Sequence, residues 1–245
     1  MTYYLHGPHA DSLILNLDAK NLHSYPGEGN EWYDISGNGH RAVGHDGAEL
    51  RDDTRFPEWT AKWGGAFNFD GYYRIFVDSH IPSPNELTME VWMYREHTGT
   101  TTKYISDARN GDGTWHLTNY QGYNINFRNR LQANDPAGHD YRETDSTADD
   151  HSNWWEQWHQ FVMMSDGSMS KLYVDGERID DDRLQNNDAF STGIGDNLTI
   201  GNRYTGSGRI DAYISSYRLY GKELSATQVK QNYEAEKWYF QQPVN

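Results

Sequence analysis

The chain has 245 residues, a length suited to one large sandwich or barrel domain, and its formal net charge at pH 7 is −15. This acidic balance argues against binding to nucleic acid and to an anionic membrane surface, because phosphate backbones and anionic bilayers attract positive charge. The chain has no cysteine, which excludes disulfides, zinc–thiolate sites and thiol nucleophiles. Aromatic residues make up 14% of it, and their rings suit half-wet binding surfaces.

The first twelve residues contain neither Lys nor Arg and no apolar core, so they do not resemble a secretory signal. No apolar run approaches the roughly 18 residues of a membrane span. The sequence therefore predicts a protein that is made without ordinary secretion.

The dominant periodicity of the sequence is two residues. In 87–94, Leu, Met, Val and Met alternate with Thr, Glu, Trp and Tyr, which predicts a strand with two distinct faces. The segments with strand character are, in chain order, 12–17, 66–69, 74–77, 87–94, 103–106, 114–119, 123–128, 158–164, 171–174, 197–200 and 209–220.

Asp-Gly pairs separate several of these strands, and such pairs supply the positive φ that tight hairpin turns require. They predict a hairpin over 161–174, a second turn that leaves it, and a similar turn between 66–69 and 74–77. The three pairs are Asp70-Gly71, Asp166-Gly167 and Asp175-Gly176.

One helix is predicted, over 226–237. Ser225 and Gln228 have the spacing of a capping box, and Leu224 and Val229 that of a hydrophobic staple. Residues 134–153 are acidic with few aliphatics, which indicates a long surface insertion. Many short strands and one late helix predict a single all-β domain over 1–245, built as a two-sheet antiparallel sandwich.

Four blocks of sequence, in order, resemble a known superfamily. They are 12–50, with LILNLDA, SYPG and WYDISGNG; FNFDG at 67–71 followed by LTMEVW at 87–92; Trp158-His159 leading into KLYVDG at 171–176; and NLTIG at 197–201 followed by 213–236 with YRLY and LSA. Together they resemble the laminin-G-like branch of the concanavalin A-like lectin/glucanase superfamily. The opening block and 217–240 are most similar to versions in bacteriophage virion proteins.

The resemblance spans about 12–237 and implies a jelly-roll sandwich with a curved sheet. Its relatives bind glycans, proteins or lipid head groups, often through calcium, and some are glycoside hydrolases.

The hydrolase branch needs two carboxylates on one face of a strand, about 5–5.5 Å apart in a retaining enzyme. That pattern is absent, because Glu90 is the only acid in 87–94. We therefore predict no catalytic residues and no enzyme. His159, beside Trp158, is expected to pack rather than to catalyse.

Calcium is the cofactor that the sequence leaves open. Asp107, Asn110 and Asp112 are expected on a short glycine-containing loop, and oxygen-rich flexible loops suit this ion. Asp70 matches the family's Phe-Asp-Gly turn, although it could serve the turn alone. The candidate metal ligands are Asp70, Asp107 and Asp112.

Sugar binding needs flat rings for apolar sugar faces and planar polar groups for hydroxyls. By analogy with the family, the turn after Asp70 and the loop before the last long strand lie near one rim. The candidate ligand-binding residues are Tyr72, Tyr73, Asn202, Arg203 and Tyr204.

These observations favour a non-enzymatic recognition domain, placed by resemblance on the surface of a phage virion as a head decoration or fibre-associated protein, or alternatively outside a cell. Its partners are then host-surface glycans or a neighbouring virion or capsid protein, and self-association is left open. One alternative is a glycoside hydrolase or lyase with atypical catalytic residues. Another is a purely structural capsid cement protein.

Overall fold

The computed structural model describes residues 12–45, 56–77, 80–81, 84–95, 103–110, 113–120, 124–131, 140–143, 156–166, 170–179, 194, 198–202 and 208–241. Its strands are β1 (Leu13–Asp18), β2 (Glu31–Tyr33), β3 (Arg41–His45), β4 (Glu58–Thr60), β5 (Ala66–Asp70), β6 (Arg74–Val77), β7 (Leu87–Tyr94), β8 (Lys103–Asn110), β9 (Gly113–Tyr120), β10 (Asn124–Leu131), β11 (Asp140–Glu143), β12 (Trp158–Ser165), β13 (Ser170–Val174), β14 (Glu177–Arg178), β15 (Leu198–Ile200) and β16 (Asp211–Tyr220). A 3-10 turn at Lys62–Gly64 and helix α1 (Ala226–Phe240) complete the described elements.

The strands form two antiparallel sheets of eight strands each. Sheet 1 has the order β14-β13-β12-β7-β16-β5-β4, and β1 also pairs with β16. Sheet 2 has the order β11-β10-β9-β8-β15-β6-β3-β2. This arrangement confirms the predicted all-β jelly-roll sandwich with one short C-terminal helix.

The core lies between the two sheets. Met89 and Phe161 contribute to it from sheet 1, and Ile75 and Ile200 from sheet 2, all with almost no exposure. Because alternate residues of a strand point to opposite faces, the core-facing members of β7 are the four apolar residues that the sequence pattern identified. The other face of β7 is also buried, except at Tyr94, because α1 packs against that side of sheet 1.

Helix α1 begins where the sequence predicts it. The Ser225 hydroxyl accepts a hydrogen bond from the Gln228 amide (3.3 Å), and the Gln228 side chain accepts one from the Ser225 amide (2.9 Å). Leu224 and Val229 are buried in one cluster, as a staple requires. The helix runs three residues beyond the predicted end, because Phe240 packs on the Trp92 ring and holds the last turn. Within the described residues, no helix has the length and hydropathy needed to cross a bilayer.

The predicted turns have different outcomes. Strands β12 and β13 pair from Phe161↔Val174 to Ser165↔Ser170, which confirms the hairpin. The turn at Asp175-Gly176, with φ of 53° and 79°, leads into β14 as expected. The turn at 70–71 is not a hairpin, since β5 belongs to sheet 1 and β6 to sheet 2, so the chain changes sheets there. The predicted surface insertion at 134–153 contains a strand, β11, which extends sheet 2.

A buried arginine joins β16 to its neighbours under α1. Arg218 donates to Glu90 Oε1 of β7 (2.8 Å) and to Asn16 Oδ1 of β1 (3.2 Å), and its Nη2 contacts Glu236 of α1. The side chains of Arg218 and Glu90 are 3% and 1% exposed. Burial alone would lower the pKa of Arg218, but the Glu236 and Glu90 carboxylates raise it well above its ordinary value.

The second carboxylate oxygen of Glu90 is also hydrogen-bonded. Asn232 of α1 donates to Oε2 (2.8 Å), and the Tyr220 hydroxyl lies 3.5 Å from the same atom. The pKa of Tyr220 is raised well above its ordinary value, first by burial and then by the nearby Glu90 charge. Glu90 is therefore a buried structural residue whose hydrogen bonds hold α1 against sheet 1.

Aromatic rings continue this outer face of sheet 1 beyond the ionic cluster. Trp158, Tyr94 and Tyr213 lie directly opposite one another on β12, β7 and β16. Trp63 packs over all three, stacked on Tyr94 at 5.5 Å and edge-on to the other two at 5.2 Å. Phe240 packs against Trp158 with ring centres 4.6 Å apart and planes tilted by 31°, so the rings bridge the 3-10 turn and the end of α1.

We expect Glu90→Ala to destabilise the fold by about 3–5 kcal/mol, because it removes one of the carboxylates around the buried Arg218 guanidinium and the acceptor of the Asn232 hydrogen bond. The matched control is Glu177→Ala, which removes the exposed ion pair with Lys230 and is expected to leave the urea midpoint near that of the unmodified protein. Urea unfolding followed by tryptophan fluorescence measures both. Equal midpoints for the two variants would contradict the structural role of Glu90.

Candidate functional site

One end of the sandwich is closed by four backbone hydrogen bonds. The Gly71 amide donates to Ile210 O (3.0 Å), and the Ile210 amide donates to Gly201 O (2.9 Å). The Gly201 amide donates to Ile105 O and the Tyr104 amide to Gly208 O, both at 2.8 Å. These bonds bring together residues 70–73, 104, 201–202 and 208–211, which we call the rim.

Tyr72 presents the most exposed ring of the rim, with 68% of the residue accessible. Its backbone amide donates to Asp70 Oδ1 (3.0 Å), which closes the turn. The Arg209 guanidinium lies 5.8 Å from the centre of its ring, within the range of a cation–π contact. The ring is thus held in place while much of its surface stays open to solvent. Tyr73, the next residue, is half-buried.

Asn202 and Asp107 meet below this surface. The Thr199 hydroxyl donates to Asn202 O (2.8 Å) and lies 3.2 Å from Asp107 O, and both Asn202 and Asp107 are buried. The prediction that Asp107 stands on a loop is wrong. It lies inside β8, opposite Thr199 of β15, because strand pairing extends four residues further than the sequence pattern indicates.

Two positive and two negative groups surround the rim. Asp70 and Asp211 lie opposite each other on β5 and β16, Arg209 is half-buried near the Tyr72 ring, and Arg95 is buried. Burial lowers the pKa of Arg95 to about 10, and the Asp211 carboxylate acts in the opposite direction. Arg95 therefore stays charged at neutral pH. The Arg209 guanidinium can donate to hydroxyl or carboxylate oxygens.

The structure brings together Asp70, Tyr72, Tyr73 and Asn202 of the residues singled out from sequence. Arg203, Tyr204 and Asp112 lie outside the described residues. Sequence reasoning missed Arg209, which lies near the Tyr72 ring, and Tyr104, whose amide donates to Gly208 O, since both contacts join segments far apart in the chain.

Calcium binding stays a prediction. Within the described ranges, no three or more Asp, Glu or His side chains cluster in a way that could hold a metal ion. Asp70 Oδ1 closes the turn with the Tyr72 amide, and Asp107 is fully buried. Of the candidate ligands in the described residues, Asp70 is the accessible one.

His159 lies near the start of β12, an inner strand of sheet 1, and orients the turn at Asp175. Its Nδ1 is 2.7 Å from Asp175 Oδ2, and the Gln160 amide donates to Asp175 Oδ1 (3.0 Å). Asp175 is therefore held in its left-handed conformation from two sides. This contact accounts for the Trp-His pair as a packing feature of β12.

A family model of the concanavalin A-like lectin/glucanases superfamily matches residues 67–230, more than half of the chain. The chain belongs to this superfamily. Its matched region contains β5, β7, β16 and the whole rim, so the superfamily's carbohydrate-binding fold is the scaffold on which Tyr72 and Arg209 stand. No curated protein matches the sequence.

Solved structures of the same fold include binding domains. Domain 4 of AbnA, a GH43 extracellular arabinanase from Geobacillus stearothermophilus, in complex with arabinotriose, has a TM-score of 0.64 at 16% identity over 90% of this chain and 98% of that one. Botulinum neurotoxin type C, whose cell entry depends on interaction with two ganglioside molecules, has a TM-score of 0.63 at 14% identity. The match covers 92% of this chain and 51% of that one. The binding domain of Paraclostridial Mosquitocidal Protein 1 has a TM-score of 0.63 at 15% identity, and the match covers 92% of this chain and 52% of that one. The chain thus spans about half the length of these toxin chains, and likeness at such identity establishes the fold.

We expect Gly201→Ala to destabilise the rim by about 1–3 kcal/mol, since a Cβ at this position would lie 2.3 Å from a carbon of the Phe69 ring. The control is Gly71→Ala, where φ is +79°, close to the +84° of Gly201, but the space is open. The difference between their thermal unfolding free energies isolates the clash. A smaller loss for Gly201→Ala than for Gly71→Ala would contradict this close packing.

Proposed function

We propose that the protein is a non-enzymatic recognition domain that binds a glycan at the rim. The observation that carries the proposal is the exposed Tyr72 ring, fixed by Arg209 and by the Asp70 turn at an edge of the carbohydrate-binding fold. A fixed, exposed ring suits the apolar face of a sugar, since little conformational entropy is lost on stacking.

The polar groups around Tyr72 suit the hydroxyls of the same sugar. Arg209 offers planar N–H donors, and Asp70 and Asp211 offer carboxylate acceptors. Donors and acceptors on both sides of one ring favour a neutral or partly charged saccharide over a strongly anionic one. Arabinotriose bound to the AbnA domain and the gangliosides of the type C toxin are saccharide-containing ligands of other proteins with this fold.

The state of Glu90 supports a binding role over hydrolysis. A glycoside hydrolase or lyase would need this acid in an open cleft, whereas Glu90 is bound to Arg218 and Asn232 and covered by α1. Asp107, another acid of the sandwich, is fully buried in β8. Neither group can reach a glycosidic bond without unfolding of its surroundings.

The phage-virion setting stays part of the proposal and rests on the resemblance of 12–50 and 217–240 to virion proteins. In that setting the rim faces the host surface, and a neighbouring capsid or fibre protein holds another face. Specific retention on purified capsids without glycan binding would favour the structural cement role instead.

We expect Tyr72→Ala to weaken glycan binding about tenfold, because ring stacking contributes about 1–1.5 kcal/mol. Arg209→Gln should weaken it by a smaller factor, since the ring loses its support but keeps its surface. A glycan array that includes arabinotriose identifies the ligand, and isothermal titration calorimetry measures each affinity.

Tyr33→Ala is the matched control for Tyr72→Ala. Tyr33 is also an exposed tyrosine, and it lies on β2 at the far edge of sheet 2. Binding at the rim would be refuted if the unmodified protein bound no glycan on the array. It would also be refuted if Tyr33→Ala lowered the affinity as much as Tyr72→Ala.

Calcium dependence is tested in the same titrations. We expect millimolar calcium to strengthen glycan binding, and Asp70→Asn to abolish this gain, since Asp70 is the accessible candidate ligand. Identical affinities with calcium and with chelator would remove the ion from the proposal and leave the rim itself intact.

A further inference from the structure

We infer that the end of α1 carries a second saccharide-binding surface, separate from the rim and selective for an acidic sugar chain. This surface, the helix-end patch, consists of Lys62, Trp63, Trp238 and Tyr239. Its ligand is recognised by ring stacking on the tryptophans and by pairing of its carboxylates with lysine.

Trp238 is exposed and yet fixed. The residue is 52% accessible, its ring stacks on Tyr239 at 3.7 Å, and its indole N–H donates to Ala235 O (3.0 Å). The hydrogen bond satisfies the polar end of the ring within its own helix. The ring therefore exposes a flat apolar face to solvent in one orientation. Burial of this face by a ligand would be favourable.

The patch continues from Trp238 to the 3-10 turn. A Cβ at Gly64 would lie 3.4 Å from the Tyr239 ring, so the two segments touch. Trp63 precedes Gly64 in the turn with φ 55°, a left-handed conformation that is uncommon for a bulky residue. Its stacking against Tyr94, Trp158 and Tyr213 fixes this conformation, so both tryptophans of the patch are held in place.

The lysines around the patch differ in what they contact. Lys20 pairs with Asp18 (2.8 Å), and Lys237 pairs with Glu234. Lys62 lies 5.9 Å from the centre of the Trp63 ring, is exposed, and contacts no carboxylate within the part of the chain that the structure describes. Lys62 therefore supplies positive charge beside the rings, on a protein of net charge −15. An acidic ligand is attracted here and repelled by much of the remaining surface.

The area of the patch decides the size of its ligand. The open apolar surface consists of the half-exposed Trp238 ring and the partly exposed Trp63 and Tyr239 rings, well below the roughly 800 Å² per partner that a stable protein interface buries. It matches one or two sugar rings. A saccharide thus fits the patch better than a second protein does.

The test compares trigalacturonate with its methyl ester, which has the same sugar rings without the charge. We expect the unmodified protein to bind the acid several-fold more tightly than the ester in low salt, and this preference to shrink as salt screens Lys62. Trp238→Ala should weaken binding of both ligands about tenfold. Lys62→Gln should lower binding of the acid to the level of the ester and leave the ester unchanged. Calorimetry gives the affinities.

Two controls separate this patch from the rim and from self-association. Leu22→Ala, which removes another exposed apolar side chain, and Tyr72→Ala should leave trigalacturonate binding unchanged. A loss with Tyr72→Ala equal to that with Trp238→Ala would place the ligand at the rim and overturn the patch. So would equal affinity for acid and ester, or a dimer in sedimentation velocity that Trp238→Ala dissociates.

Discussion

The buried charge of Arg218 constrains much of this fold. A guanidinium away from water is tolerated when carboxylates and amides surround it, and here they come from β1, β7 and α1. Asn16 and Arg218 are 202 positions apart in the chain. The cluster therefore forms when both ends of the chain and the middle of sheet 1 have come together, which makes helix docking part of the folding of the sandwich.

Covering sheet 1 in this way determines where a ligand can bind. The helix and the Trp63 turn occupy the outer face of β7 and β16, so Glu90 and Trp92 serve packing. Among the residues that the structure describes, the exposed rings include Tyr72 at the rim and Trp238 near the end of α1. Each ring is fixed by a local contact, Arg209 in one case and Ala235 in the other. The two sites differ in charge, since the rim carries both signs and the helix-end patch is positive.

The rim also shows how core packing holds a binding surface. Gly201 passes so close to the Phe69 ring that no side chain fits, and this approach places Gly201 O within reach of the Ile210 amide. Ile210 in turn accepts from Gly71, which aligns the Tyr72 turn with Arg209. Changes in the core below Gly201 are thus transmitted to the ring at the surface through two backbone hydrogen bonds.

The sequence by itself determined the fold class and the local elements. Period-two alternation placed the central strands, Asp-Gly pairs placed two of the turns, and the Ser225 capping box placed the start of the helix, because each depends on residues close together in the chain. The spacing of acids in 87–94 likewise excluded a catalytic pair on that strand. Strand extent was less accurate, since Asp107 belongs to β8 through pairing with β15, which its own neighbours do not encode.

Only the tertiary structure decided which side chains share a surface. The turn at 70–71 leads from one sheet to the other, Arg209 reaches Tyr72, and Trp63 packs against rings from three strands. None of these follows from local pattern, because period-two alternation gives the face of a strand and not its neighbour in the sheet. The physical reason is that strand partners are selected by long-range hydrogen bonding and core packing, which act between residues far apart in the chain.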